Sequence, residues 1–211
     1  MFEIHNLKFK NILNIEHLKF EVGKINVIVG ASGVGKTTLL RMLNKLNSPT
    51  SGEILYKQKN IEQISSLELR KEVLMLPQNP ILLGDTIEEN LTAPFNYQNK
   101  PKPSQEKMKK CLEQVKLIKE LTDLATNLSG GEKQRLALAR ILLLEPEVYL
   151  LDEPSSMLDK ETEDFIINYL VNFAKENNKT IIMITHSKEV ASKYADNIIE
   201  LQKITEINKI N

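Results

Sequence analysis

The sequence has few of the residues that stabilise small secreted domains. Among its 211 residues there is no tryptophan and only one cysteine, Cys111. An intrachain disulfide is therefore excluded, which is typical of proteins that stay in a reducing cytoplasm. Because Cys111 falls in a helical pattern, we interpret it as a small apolar residue on a helix face rather than as a reactive thiol.

Long apolar segments are also missing. Runs such as residues 141–144 are far shorter than the ~20 residues that a helix needs to cross a bilayer. The first five residues lead directly into a strand pattern and not into a signal peptide. From these absences we expect a soluble, cytoplasmic chain, which would reach a membrane only through another subunit.

An excess of charge of one sign is absent as well. The chain carries 28 Lys and Arg residues against 28 Asp and Glu residues, which gives a formal net charge of zero. Proteins that bind nucleic acid through bulk charge carry a basic excess, so we expect no nucleic-acid partner. At ~150 residues per domain, the length indicates one large domain, or one domain with a subdomain.

A glycine-rich segment lies between an apolar run, residues 25–29, and a helix-forming run, residues 39–46. Its residues are Gly30, Ala31, Ser32, Gly33, Val34, Gly35, Lys36, Thr37 and Thr38. The order strand, glycine-rich turn, helix is the context in which the pattern G-x-x-x-x-G-K-[ST] forms a phosphate-binding loop. A ligand-free loop would rarely match every position of the pattern in this context.

The residue types of this loop suit a triphosphate. Backbone N–H groups can surround phosphates where no Cβ blocks their approach, as at Gly33 and Gly35. The first turn of the following helix offers further N–H groups and the positive end of its dipole. Lys36 would add a full positive charge for the β- and γ-phosphates. The hydroxyl of Thr37 would ligate Mg²⁺, and that of Thr38 would donate to a phosphate oxygen.

Beyond the loop, strand patterns alternate with helix patterns. This order predicts an α/β fold, a P-loop NTPase core whose mainly parallel sheet is covered by helices. Residues 2–4 and 18–22 alternate apolar and polar side chains, which indicates an antiparallel β part at the N-terminus.

The middle of the chain differs in character. We interpret residues 93–103, which hold three prolines, as a loop, and residues 104–118 as an amphipathic helix that begins at an N-cap serine. We therefore predict a single domain covering the whole chain. Residues 1–78 and 129–211 would form its core with the N-terminal β part, and residues 79–128 an inserted helical subdomain.

Polar or phosphate-binding residues follow four of the predicted apolar strands, namely Gly30, Gln78, Asp152 and His186. In open parallel sheets, ligands bind beyond the carboxyl ends of the strands, so these four positions should converge on one edge. Asp152 follows four apolar residues, which suits a carboxylate that holds Mg²⁺ opposite Thr37.

The neighbours of Asp152 at this edge also suggest chemistry. Glu153 would orient or deprotonate an attacking water. Gln78 would contact Mg²⁺ or that water through its amide, and His186 would donate to the γ-phosphate. Structural interpretations stay open at this point: an Asp-Glu pair can cap a helix, Gln78 can be an ordinary loop residue, and His186 can serve packing alone.

Two further features suggest a ligand, and the first of them also has a structural interpretation. Phe9 falls between the first two strands, where its ring would either stack on a flat base or join the core. Ser129, Gly130 and Gly131 begin a helix, and by the same physics as the first loop they form a second anion-binding site. Because the chain has only one loop with a lysine, this second site would serve a neighbouring copy of the protein.

Six motifs in this order resemble those of the nucleotide-binding subunit of an ATP-binding cassette (ABC) transporter. They are residues 30–37, Pro77-Gln78, residues 128–135, residues 149–154, residues 155–159 and His186. The resemblance covers nearly the whole chain, and the Leu-Ser-Gly-Gly element at 128–131 is highly specific. It implies a RecA-like core that binds ATP and Mg²⁺ and hydrolyses the ATP.

The resemblance also implies an assembly. Two copies would pack head to tail as a homodimer, with each ATP between the phosphate loop of one copy and Ser129, Gly130 and Gly131 of the other. Asp159 would touch the opposite copy, and Phe9 would stack on adenine.

Roles in catalysis and docking are implied in the same way. Glu153 would be the general base, His186 would sense the γ-phosphate, and Gln78 would sense both the nucleotide and a separate transmembrane permease. Together with Lys36, these are the predicted catalytic residues. The predicted metal ligands are Thr37, Gln78 and Asp152. Residues 79–95 would dock on the permease and so hold the chain at the inner face of the cell membrane.

The direction of transport and the general class leave alternatives. Residues 79–90 resemble exporter cassettes, and the compact chain resembles bacterial two-gene exporters assigned to iron or metal efflux, so we expect export. One alternative is a soluble cassette acting in translation or DNA repair. Residues 79–127 are too short and too rich in proline for the long coiled coil of repair relatives. Another alternative is a nucleotide-dependent binding module without turnover, against which Glu153 and His186 argue.

Overall fold

A computed structural model describes residues 1–202 of the chain. The strands are β1 (Phe2–Phe9), β2 (Leu13–Phe20), β3 (Ile25–Val29), β4 (Ser51–Tyr56), β5 (Lys59–Asn60), β6 (Val73–Leu76), β7 (Val148–Asp152), β8 (Thr180–Ile184) and β9 (Asn197–Glu200). The helices are α1 (Lys36–Leu43), α2 (Ser66–Glu72), α3 (Ile87–Tyr97), α4 (Gln105–Gln114), α5 (Gly130–Leu144), α6 (Lys160–Glu176) and α7 (Lys188–Tyr194). Within residues 1–202, no helix has the length and apolar content needed to span a bilayer. Residues 203–211 of the predicted core lie outside the described part.

The N-terminal β part is a four-stranded antiparallel sheet in the order β2-β1-β4-β5. Strands β1 and β2 form a hairpin in which Phe2 pairs with Phe20 and Phe9 with Leu13. The predicted antiparallel part is therefore confirmed, but both strands begin or continue beyond their predicted bounds, and β2 ends at Phe20, two residues before the predicted end. The solvent-facing side of β2 carries Asn14 and Glu16, residue types that are uncommon in strands, so the sequence pattern is weak there.

The second sheet is parallel and has the order β6-β7-β8-β3-β9. Strands β7 and β8 are buried along their whole length, and they read as nearly continuous apolar runs because both faces of the sheet are covered. The predicted strand at residues 25–29 coincides with β3. The predicted parallel sheet with covering helices is confirmed.

Alternate residues of β7 face two different layers. Tyr149 and Leu151 of β7 belong to a buried cluster that includes residues of α3 to α7. Val148 and Leu150 belong to a second cluster, shared with α1 and the antiparallel sheet. The parallel sheet is thus the middle layer of the molecule, and its carboxyl edge lies between the two outer layers.

The predicted loop at residues 93–103 is wrong in its first half, because α3 continues through Pro94 to Tyr97. A capping box starts this helix: Thr86 Oγ1 accepts from Glu89 N, and Glu89 Oε2 accepts from Thr86 N. Proline in a helix interior removes one hydrogen bond, but the buried side chain of Phe95 holds this end of α3 in the core.

The next predicted helix, residues 104–118, is correct at its start and too long at its end. Ser104 caps α4 as predicted, by accepting from Lys107 N. The helix stops at Gln114, and Lys116 then adopts a left-handed conformation (φ 53°) that no helix continues through. Ile118, the last residue of the predicted helix, lies beyond α4 and is 93% exposed. That residues 79–128 form a subdomain of their own stays a prediction.

Candidate functional site

The glycine-rich loop connects β3 to α1 at the carboxyl edge of the parallel sheet. Gly35 precedes α1 with φ 99°, and a Cβ there would lie 2.6 Å from Leu13 Cδ2 of the β-hairpin. Gly33 has φ 79°, and a Cβ on it would meet no atom within 4 Å. The left-handed backbone therefore requires glycine at Gly33, and it leaves open space beside the loop.

The start of α1 differs from the starts of the other long helices. Its N-cap, Gly35, has no side chain to accept from the first-turn N–H groups, whereas side chains cap α3, α4, α5 and α6. These N–H groups, together with the positive end of the helix dipole, are therefore available to an anion. Thr38 lies in the same turn and is half-buried.

Lys36 lies inside the loop. Its side chain reaches back across the turn, where Nζ donates to Gly30 O at 2.8 Å and to Ala31 O at 2.9 Å. The residue is only 7% exposed. An ammonium group held at the mouth of the loop adds a full charge to the partial charges of the N–H groups.

Thr37 and Asp152 come together from different elements. Thr37 Oγ1, at the start of α1, donates to Asp152 Oδ1, at the end of β7, at 3.1 Å. Burial raises the pKa of the Asp152 carboxyl, which is 3% exposed, and its hydrogen bond with Thr37 opposes that shift. A desolvated carboxylate beside a hydroxyl is an oxygen donor set that fits Mg²⁺.

No cluster of three or more His, Cys, Asp or Glu side chains suited to a metal occurs between residues 1 and 202. Thr37 and Asp152 are therefore the pair that would hold Mg²⁺, an ion that proteins usually bind through one or two carboxylates while it keeps several waters.

The side chain of Glu153 lies between Gln78 and His186. Its Oε2 accepts from Gln78 Nε2 at 3.0 Å, and its Oε1 lies 3.0 Å from His186 Nε2. These three residues follow β6, β7 and β8, which are adjacent in the sheet. The predicted convergence at the carboxyl edge is what the structure shows. Gln78 directs its amide nitrogen to Glu153, and its role as a metal ligand stays a prediction.

The ring of Phe9 is half-buried and packs against the core cluster under the antiparallel sheet. Lys10 Nζ lies 5.2 Å from the centre of the ring. Of the two interpretations of Phe9, this placement favours the core residue, and stacking on adenine stays a prediction.

The second anion-binding feature is the N-terminus of α5. Ser129 Oγ accepts from Glu132 N at 3.3 Å, and Glu132 Oε2 accepts from Ser129 N at 2.9 Å, which is a capping box. The hydrogen bond from Ser129 N lowers the pKa of the Glu132 carboxyl. A hydroxyl has one donor besides its acceptor lone pairs, so the exposed Ser129 can still donate to a ligand.

The neighbours of this N-terminus restrict it to small residues. Gly130 is exposed. Gly131 has little space beside it, because a Cβ on this residue would lie 2.9 Å from Met157 O. Asp159 follows shortly after Met157 and caps α6, with its Oδ1 accepting from Thr162 N at 3.0 Å. Ser129 and Asp159 are both exposed, so both are accessible to another molecule.

Sequence reasoning includes Gln134 in the motif at residues 128–135 but assigns it no role. It is fully buried in α5 and hydrogen-bonded to the backbone of Glu153 and Met157. The available signal was a glutamine in a helix whose next ten residues are nearly all apolar or small. A second residue without a predicted role is Arg140 of the same helix, whose buried guanidinium donates twice to Ile81 O at 3.2 Å.

The sequence relatives of the chain are described as ATP-binding proteins, which agrees with the phosphate-binding geometry of the site. The chain is 37% identical over 205 residues to the methionine import ATP-binding protein MetN 2 of Staphylococcus epidermidis, an alignment that covers 94% of the chain and 60% of the relative. It is 36% identical to the methionine import ATP-binding protein MetN of Haemophilus influenzae, with 94% and 59% covered. The chain thus spans about 60% of the length of these relatives.

Solved structures show the same fold. An Atm1-family bacterial ABC exporter with ATP bound superimposes with a TM-score of 0.86 at 28% identity, covering 96% of this chain and 37% of that one. The dimeric ATP-binding cassette MJ0796, bound to ADP and Pi after hydrolysis, gives 0.85 at 27% identity, with 96% and 95% covered. The predicted P-loop NTPase fold is confirmed.

The family profile described as ABC transporter matches residues 13–156. This range contains the phosphate loop, Gln78, Ser129 and the Asp152-Glu153 pair, the residues around which the site is built. The chain therefore belongs to the ABC transporter family.

Proposed function

We propose that the chain is the ATP-binding and ATP-hydrolysing subunit of an ABC transporter. The observation that carries this proposal is the convergence at one sheet edge of the Lys36 loop, the Thr37–Asp152 pair and Glu153 held between Gln78 and His186. These groups supply phosphate binding, a metal site and a general base, which are the parts that phosphoryl transfer to water requires.

In this proposal the chain's own residues position the reactants. The loop N–H groups and Lys36 bind the phosphates, and Thr37 and Asp152 would hold Mg²⁺, which would supply positive charge against the phosphates. Glu153 accepts a proton from the attacking water, and His186 donates to the γ-phosphate. Gln78 fixes one carboxylate oxygen of Glu153, which leaves the other for the water and His186.

The second half of the ATP site comes from another copy of the chain. Ser129, Gly130 and Gly131 expose a capped helix N-terminus with a free hydroxyl proton, and Asp159 is exposed beside them. Binding one nucleotide between two such surfaces closes a head-to-tail homodimer. The dimeric cassette among the similar solved structures supports this arrangement.

Replacing Ser129 by arginine tests the dimer. A long cation in place of the small hydroxyl would obstruct the partner's nucleotide, while the phosphate loop of the same chain stays intact. We expect an unchanged dissociation constant for ATP, loss of ATP-dependent dimerisation in light scattering, and a turnover reduced by about 100-fold. Ser104→Arg is the control, since Ser104 is also an exposed N-cap serine. Dimerisation by Ser129→Arg equal to that of the control would contradict the shared site.

A groove beside residues 79–95 supports the predicted docking of a membrane permease. Its volume is about 530 Å³. It is lined by Arg41, Leu46, Asn47, Leu74, Met75, Leu76, Pro77, Ile81, Leu83, Pro94, Arg140, Ile141 and Leu144. Burial lowers the pKa of Arg140 to about 10, and the guanidinium holds the backbone at Ile81. The groove starts next to Gln78, so a bound permease helix would lie close to the residue that contacts Glu153.

Docking is tested by Leu46→Asp, with Val22→Asp as the control, because both side chains are 53% exposed and only Leu46 lines the groove. We expect both variants to hydrolyse ATP as free subunits. Only Leu46→Asp should lose co-purification with the transmembrane subunit, since it replaces an apolar contact of the groove by a carboxylate that docking would take out of water. Equal recovery of the subunit with both variants would place the docking surface elsewhere.

The names of the relatives bear on the direction of transport. The curated relatives at 36–37% identity are described as methionine import proteins, whereas the exporter among the solved structures is 28% identical. We therefore favour import over the export that residues 79–90 suggested. Transport, with the chain held at the membrane through its partner, is also favoured over a role in translation or DNA repair.

A further inference from the structure

Gln134 connects two parts of the site that are distant in sequence. It lies in the second turn of α5, five residues after Ser129, and is 0% exposed. Its Nε2 donates to Glu153 O at 3.0 Å, and its Oε1 accepts from Met157 N at 3.1 Å. One buried carboxamide therefore holds both ends of the turn that follows β7.

The backbone of Glu153 is in a conformation that needs support. Its φ is 50°, in the left-handed region that costs a residue with a Cβ on the order of 1 kcal/mol. Its N–H donates to Ile184 O at 3.1 Å, and its carbonyl accepts from Ser156 N at 3.2 Å as well as from Gln134. The direction of the Glu153 side chain, and so its distance to Gln78 and His186, depends on this backbone.

The other end of the same turn contacts the second phosphate site. Met157 O would lie 2.9 Å from a Cβ on Gly131, and Met157 Sδ 3.3 Å from one on Gly130. The turn that follows β7 therefore continues from the strand that carries Asp152. It also contacts the N-terminus of α5, next to Ser129. The Gln134 side chain forms hydrogen bonds to both ends of this turn, at Glu153 O and at Met157 N.

We propose that Gln134 is a positioning residue for hydrolysis, which sets the orientation of Glu153 and ties it to the α5 N-terminus that binds the partner's nucleotide. This inference rests on the proposed ATPase function. A glutamine that served packing alone could be replaced by methionine of similar volume, because neither of its hydrogen bonds would bear on the reaction. The two roles therefore differ in their kinetic consequences.

The test compares Gln134→Met with Gln105→Met, the same replacement at an exposed position of α4. If Glu153 loses its alignment, kcat should fall by about 10- to 100-fold, the range expected for a small misplacement of a reacting group. KM and the dissociation constant for ATP should stay unchanged, because Lys36 and its loop are untouched. Gln105→Met should match the wild type.

A second comparison shows whether the effect passes through Glu153. In a Glu153→Gln background, adding Gln134→Met should cause no further fall in the single-turnover rate. Gln134→Asn, which keeps the amide but is one methylene too short to reach both partners, should show the same fall in kcat as Gln134→Met. It also provides a folded variant for the measurement if the methionine destabilises the chain.

The outcomes separate the two proposals. Unchanged kcat in folded Gln134→Met and Gln134→Asn, or an equal fall in the Glu153→Gln background, would overturn the role of Gln134 and leave the ATPase proposal intact. Absence of phosphate release by the wild-type dimer would overturn the ATPase proposal itself, and the inference with it.

Discussion

Lys36→Ala is expected to abolish ATP binding at millimolar nucleotide. Lys36 is 7% exposed and its ammonium donates to Gly30 O and Ala31 O in the loop, so it meets the phosphates where water screens charge poorly. Two unit charges 4 Å apart at an effective dielectric constant of 20 attract by about 4 kcal/mol, which corresponds to about a 1000-fold change in affinity. Equilibrium binding of a fluorescent ATP analogue measures the loss directly.

The chain offers a closely matched control at the other end of α1. Lys45 Nζ also donates to two backbone carbonyls, Ile61 O and Ile64 O, each at 2.9 Å. Lys45→Ala removes the same hydrogen-bonding pattern from a lysine that faces no phosphate. We expect it to lower stability and to leave ATP affinity unchanged. Normal ATP affinity in folded Lys36→Ala would refute the phosphate-binding role of the loop.

The parts of the fold that sequence predicts well are those where local pattern and global packing agree. Strand β3 was located to the residue, because an apolar run flanked by a turn and a glycine loop has few other solutions. Asp152 and His186 could be placed at one edge because the carboxyl ends of parallel strands always share it. The convergence follows from topology and needs no knowledge of side-chain contacts.

What could not be predicted depends on contacts between distant segments. Pro94 is a strong local signal for a loop, yet the buried side chain of Phe95 keeps the helix intact through it. The partners of Gln134 are 19 and 23 residues away in sequence, and both are backbone groups that leave no trace in composition. The left-handed φ of Glu153 is hidden for the same reason. Local propensity says nothing about such bonds.

Glu153→Gln is expected to keep ATP binding and to trap an ATP-bound dimer. The amide has nearly the shape of the carboxylate and can still accept from Gln78 Nε2, but it cannot take a proton from water. Loss of a general base costs typically 10²- to 10⁴-fold in rate, so hydrolysis should nearly stop. Light scattering with ATP should then show a stable dimer, and phosphate release should be barely measurable.

Glu163→Gln is the control for this substitution. The side chains of Glu153 and Glu163 are 19% and 17% exposed, and Glu163 also accepts a hydrogen bond, from Ser155 Oγ at 2.6 Å, but it lies in the first turn of α6 and not at the end of a strand. Removing a charge of equal burial should therefore leave turnover near the wild-type rate. If Glu153→Gln turned over ATP as fast as this control, Glu153 would not be the base. A trapped dimer in Glu153→Gln alone would show that opening of the dimer depends on the proton transfer at this one carboxylate.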